Sequence, residues 1–124
     1  MTIVYIAIGG ALGSVLRYLA TVQAANLLGK SLPYGTFAVN IIGSFIMGIV
    51  IGYLAKTLPH SNELRSFLTI GLLGGFTTFS AFSLDAITLI ERGETLQAGF
   101  YVLSSVIFAI LAVFAGLYII KCIN

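Results

Sequence analysis

Charge is the scarcest property of this 124-residue chain: 8% of its residues are charged and 59% are hydrophobic. A soluble domain carries about 25% charged residues. So few charges cannot clothe an aqueous surface, and the apolar residues run the whole length of the chain, so the solvent is a bilayer. Acid is missing altogether before Glu63. The first two apolar runs therefore lack the embedded carboxylate with which an exchanger trades protons for cationic solutes. The net charge of +2 is small and scattered, with no basic cluster of the kind that tracks phosphates, which excludes a nucleic-acid partner. The one cysteine, Cys122, excludes an internal disulfide and suits an apolar or interfacial place at the C-terminus. His60 stands beside Pro59 with no second metal ligand near it in sequence. No P-loop and no nucleophile–base pair is present, so an enzyme is not expected. The opening MTIVYIAIGG has neither a basic stretch nor a small-residue cleavage site, and reads as the start of a membrane span rather than a leader.

Four apolar stretches are long enough to cross the hydrocarbon core, which takes about 20 residues. They cover roughly residues 3–28, 34–58, 64–90 and 96–121, and make 1–124 a single all-α integral-membrane domain. Turn clusters separate them: Gly29 to Pro33, Pro59 to Glu63, and Glu91 to Glu94. Ser61 or Asn62 is expected to cap the third helix and Thr95 the fourth. With four spans both termini lie on one side. Lys56, Arg65 and Lys121 fall on that side, Lys30 and Arg92 on the other. Basic residues near span ends set orientation, and this balance predicts insertion both ways, hence antiparallel pairs. The chain has no internal repeat, so inverted symmetry would come from two copies. Small residues four apart (Gly9 and Gly13; Ser44, Gly48 and Gly52; Gly71 and Gly75) allow close helix packing.

In a bilayer the polar residues carry the information. Arg17 in the first span and Asp85 in the third are costly there and are candidate functional groups. For Arg17 the alternative is snorkelling to an interface; for Asp85 it is a structural partnership. Thr36, Asn40 and Ser44 share one face of the second span, either lining a path or bonding a neighbouring helix. Tyr101 and Ser105 form a similar pair in the fourth, and the next position on that stripe is the apolar Ala109. The densest signal is Gly71 to Asp85, GLLGGFTTFSAFSLD. Gly74-Gly75 loosens the helix there, and Thr77-Thr78 can satisfy freed carbonyls. Irregular backbone at membrane depth is tolerated only inside protein or beside a cavity, and carbonyls released by a break can coordinate a small cation. Phe79 and Phe82 share a face directly after the break. Their positive ring edges can touch an anion. Hydroxyls, an amide, ring edges and a positive charge together suit a small, hard anion.

GGALGSVLRY (Gly9 to Tyr18), GTFAVNIIGSFIMG (Gly35 to Gly48) and GLLGGFTTFSAFS (Gly71 to Ser83) together give the chain its resemblance to the Fluc family of fluoride channels, also called CrcB proteins. The resemblance spans essentially the whole chain. It implies an antiparallel, dual-topology homodimer of four-span chains, with the third helix broken mid-membrane and two pores per dimer, in the bacterial plasma (inner) membrane. It implies a structural Na+ at the dimer centre, held by backbone carbonyls at Gly74 and Thr77. It implies a fluoride pathway through Phe79, Phe82, Asn40, Thr36, Tyr101, Ser105 and Arg17. Two positions depart from the family pattern: Ala109 stands where a hydroxyl is common, and Asp85 where glutamate is usual.

The expected function is passive, fluoride-specific efflux from the cytoplasm. A small multidrug-type, proton-coupled exporter is a rival, disfavoured by Arg17 and by the missing acid in the first span. A non-transporting assembly subunit is another; it would account for the glycines but not for the TTFS run.

Overall fold

The computed structural model describes residues 1–123, and among these every regular element is a helix. The first two spans are α1 (Thr2–Leu28) and α2 (Tyr34–Thr57). The third, Asn62–Glu91, is composite. It comprises α3 (Asn62–Arg65), a π-helical stretch (Ser66–Leu73), α4 (Gly74–Phe76) and α5 (Phe79–Glu91). The fourth is α6 (Thr95–Ile123). All four are long and apolar enough to cross a membrane. In hydrocarbon every backbone polar group must be satisfied internally, which is why these runs are helical despite many β-branched residues.

The caps differ from those expected. Ser61 contributes its backbone carbonyl to Arg65 N but no side-chain cap, and Asn62 is already helical. Thr95 is the first residue of α6, where Glu94 O accepts from Ala98 N. The end of α5 is closed by Gly93 at φ 81°, with Gly93 N bonding Ile90 O and Glu94 N bonding Leu89 O. This is the Schellman arrangement, whose left-handed position favours glycine.

Two close helix pairs organise the bundle. In the first, α1 lies against the π-helical stretch and α4. A Cβ on Gly9 would stand 2.6 Å from Phe67 O, and one on Gly75 would stand 2.7 Å from Gly10 O. Neither helix has room for a side chain there. In the second pair, α2 runs along α6. Gly48 faces Val113 O, and Gly116 faces Phe45 O, each too close for a Cβ. Gly52 meets Ile120 instead of another backbone. α5 completes the bundle against α6 through Phe82, Leu89, Ala98 and Tyr101. The core is small. Many apolar side chains, such as Leu103 (63% exposed) and Ile110 (64% exposed), stay largely uncovered within the single chain.

Candidate functional site

Two clefts open in the bundle, the outer one among α1, α2 and α5 and the inner one among α2, α5, α6 and the extended Thr77–Thr78 pair. The outer one, of about 220 Å³, lies at the end carrying the 29–33 and 92–94 turns. Lys30, Arg92, Thr21, Thr88, Thr36 and Asp85 are among its lining residues. Arg92 is committed at its rim: Nη2 donates to Ser31 O at 2.8 Å and lies 3.2 Å from Glu94 Oε2. The inner cleft, of about 230 Å³, is lined by Asn40, Ser44, Thr77, Thr78, Phe79, Phe82, Ser105, Val106 and Ala109. It contains no charged side chain. Its polar groups are hydroxyls, one amide and backbone.

A chain of contacts joins the clefts. Tyr101 Oη donates to Asp85 Oδ2 at 3.2 Å. The Tyr101 ring packs on Phe82 at 5.2 Å between centroids, and Phe82 on Phe79 at 5.6 Å. Phe82 and Tyr101 are buried, while Phe79 is 77% exposed. The tyrosine hydroxyl proton is thus spent on Asp85, and Tyr101 lines neither cleft, its ring backing that of Phe82.

Ser105 behaves differently from its neighbours. Hydroxyls in membrane helices usually bond back to the preceding turn. Thr57, Thr69, Thr77, Ser83, Thr88 and Ser104 all donate to the carbonyl four residues earlier. Ser105 Oγ is buried and makes no hydrogen bond within the chain. An unsatisfied buried hydroxyl costs about 1–3 kcal/mol, and this one belongs to a residue on the wall of the inner cleft.

The backbone at Thr77 and Thr78 is extended, at φ −87°, ψ 157° and φ −152°, ψ 123°. Side chains divert the amides that would otherwise continue the helical ladder. Thr78 N, which would serve Gly74 O in a continuous α-helix, donates to Asn40 Oδ1 at 2.7 Å. Ala81 N, which would serve Thr77 O, donates to Thr78 Oγ1 at 3.1 Å. The carbonyls of Gly74 and Thr77 therefore lose their α-helical donors together. Neutral carbonyl oxygens freed in this way are of the donor type that suits a hard monovalent cation. Gly75 O is treated differently: Arg17 Nε donates to it at 3.0 Å. Arg17 therefore ties α1 to the end of α4 and lines neither cleft. Its geometry is that of a charged cap on a carbonyl, which is neither a place on a cleft wall nor snorkelling to an interface.

The sequence-derived residues thus fall into three places. Asn40, Phe79, Phe82 and Ser105 share the inner cleft with Thr77, whose carbonyl is one of the cation candidates. Thr36 joins Asp85 in the outer cleft, so the Thr36, Asn40, Ser44 face is divided between the two. Arg17, on α1, and Gly74, at the start of α4, lie outside both clefts. Ala109 lines the inner cleft with a methyl. Sequence reasoning missed Gly43, whose vacant side receives the Thr77 methyl, and Gly116, signalled by the Ala112…Gly116 spacing. It also missed Thr78 as the partner of Asn40, for which no local pattern exists.

The fold and the two clefts define a multi-pass membrane protein with an uncharged cleft lined by hydroxyl, amide and aromatic side chains. Residues 4–117 match the family model described as CrcB-like protein, Camphor Resistance (CrcB), and the chain belongs to that family. It is 52% identical over 117 residues to the fluoride-specific ion channel FluC of Agrobacterium fabrum, which covers 94% of each chain. It is 52% identical over 115 residues to the protein of that name from Allorhizobium ampelinum, covering 93% of this chain and 92% of the relative. The like-named protein of Mesorhizobium japonicum is 51% identical over 116 residues, covering 94% of this chain and 93% of the relative.

Proposed function

We propose that this protein is a fluoride-specific channel of the bacterial inner membrane that lets fluoride leave the cytoplasm passively and so relieves its toxicity. It catalyses no reaction. The observation that carries this reading is the buried, unpartnered Ser105 hydroxyl in an inner cleft that also holds an amide and aromatic rings but no charged side chain. Such a lining suits a small anion, which gives up water only for dense donors. The names of the relatives support the choice of fluoride. Hydrogen fluoride crosses membranes as a neutral acid and ionises inside the cell, so a downhill path for the anion suffices. Fluoride enters past Lys30 and Thr36, moves along the edges of Phe82 and Phe79, and meets Asn40 and Ser105.

The working unit in this proposal is an antiparallel, dual-topology homodimer. Its support is the near-balance of basic residues across the two sides, and the exposure of Gly74, Phe79, Ser80 and Ser83 in the single chain. A polar run facing lipid is costly, and a second copy would cover it. The third span is then a helix broken mid-membrane. The carbonyls of Gly74 and Thr77 would hold a structural Na+ between the copies; once bound, it supplies fixed positive charge beside the path.

Phe82→Ile tests the pathway. A ring edge contributes about 1.4 kcal/mol to an ion beside it, so the variant should conduct about tenfold more slowly. Its elution on size exclusion should stay that of the parent. An unchanged rate of fluoride release from liposomes would remove the aromatic rings from the path.

A further inference from the structure

Asn40 is a pathway candidate whose side chain is committed, at both polar atoms, to the backbone of another span. Thr78 is extended, at φ −152° and ψ 123°. In an extended residue the N–H and C=O point to the same side, as they do along a strand edge. A primary amide offers a matching pair on one edge: its oxygen, and the N–H syn to that oxygen. Asn40 Oδ1 accepts from Thr78 N at 2.7 Å, and Asn40 Nδ2 donates to Thr78 O at 3.0 Å. The side chain thus forms a single rung of a strand ladder between α2 and the third span.

This rung decides the amide orientation. Flipping it would set NH2 against Thr78 N–H and oxygen against Thr78 C=O. The partner is itself held in place. The Thr77 methyl fills the vacant side of Gly43, one turn along from Asn40. Thr78 Oγ1 is engaged with Ala81 N. An unconstrained asparagine is ambivalent, since its oxygen attracts cations and its N–H groups attract anions. Asn40 has its oxygen taken and its syn hydrogen taken, and its remaining N–H belongs to a residue that lines the inner cleft.

We propose that the Thr78 peptide group is a positioning group: it locks the Asn40 amide so that a single N–H, the one anti to Oδ1, is offered to an ion in the inner cleft, and so makes an ambivalent side chain selective for anions. The lock stands on geometry alone. Its use on fluoride rests on the channel reading above.

The chain has four asparagines (Asn26, Asn40, Asn62 and Asn124), so 15N-asparagine labelling of the full-length protein gives a sparse spectrum. Asn40→Ala identifies the relevant pair of signals. In the parent protein the syn proton of Asn40 should exchange with D2O about tenfold more slowly than the anti proton, since it alone is hydrogen-bonded. Sodium fluoride, compared with sodium chloride at the same concentration, should shift the anti proton and leave the syn proton in place. Replacing Thr78 by its α-hydroxy-acid analogue removes the N–H and keeps the side chain. That ester sets an oxygen against Asn40 Oδ1 in place of the N–H while keeping the Thr78 carbonyl, so it should loosen the rung, speed exchange of the syn proton toward that of the anti proton, and lower the fluoride-to-sodium permeability ratio about tenfold, with the elution volume unchanged. Equal exchange in the parent would overturn the lock. An unchanged permeability ratio in the ester would overturn its role in selectivity. Intact asymmetry in a protein that releases no fluoride would sink the channel reading and the anion assignment with it.

Discussion

Gly13→Val is expected to leave little folded protein. A Cβ at Gly13 would run into Leu72 O, and would stand 2.9 Å from Phe76 N and 3.0 Å from Leu72 C. All three atoms are backbone, so no change of rotamer relieves the clash. Overpacking costs about 1–3 kcal/mol where side chains can shift. Here α1 would have to separate from the third span, which also breaks the Arg17 bond to Gly75 O. The loss should reach at least about 3 kcal/mol. Gly99→Val is the control, because a Cβ at Gly99 meets nothing within 4 Å. Thermal unfolding in detergent should show Gly13→Val lost or far less stable, and Gly99→Val close to the parent. A Gly13→Val protein that melts with the parent would mean that α1 does not pack on the third span in this way.

Asn40→Asp should abolish most conduction while sparing the fold. The substitution is nearly isosteric, and a carboxylate still accepts from Thr78 N. It replaces the donor to Thr78 O with a second oxygen, and it puts negative charge on the wall of the inner cleft. At about 5 Å and an effective dielectric of about 20, the repulsion of a passing anion is about 3 kcal/mol. That corresponds to a fall of more than about 100-fold in fluoride flux. Release rates from liposomes reconstituted with equal amounts of protein measure it. Flux within a few-fold of the parent would remove Asn40 from the pathway.

Much of this architecture is legible in the sequence because the bilayer simplifies the code. Apolar length gives the spans, and the helices end within two residues of the limits expected from it. Polar residues at depth give the candidates, since each has to find a partner. Long-range partnerships are less legible. The Gly74-Gly75 pair suggests where the third span loosens, yet both glycines are helical and the extended residues are Thr77 and Thr78. Close packing of Gly75 on Gly10 holds that turn, and the helical donors are drawn away further on by Asn40 and by Thr78 itself. An asparagine 38 residues distant leaves no local trace of that act. The π-helical stretch Ser66–Leu73 is unannounced too: its residue types are those of an ordinary apolar helix. Ser105 illustrates the opposite limit. Spacing identifies it as polar and inward, but only the three-dimensional arrangement shows that its hydroxyl declines the usual bond to the previous turn.

The central claim is that this chain gives fluoride a passive, selective way through the membrane. Purified protein in liposomes loaded with potassium fluoride, with potassium permeability supplied by an ionophore, tests it most directly. A fluoride electrode should record rapid release that begins with the ionophore, whereas the same liposomes loaded with chloride should retain their anion. Fluoride release no faster than from protein-free liposomes, or equal release of chloride, would contradict the account.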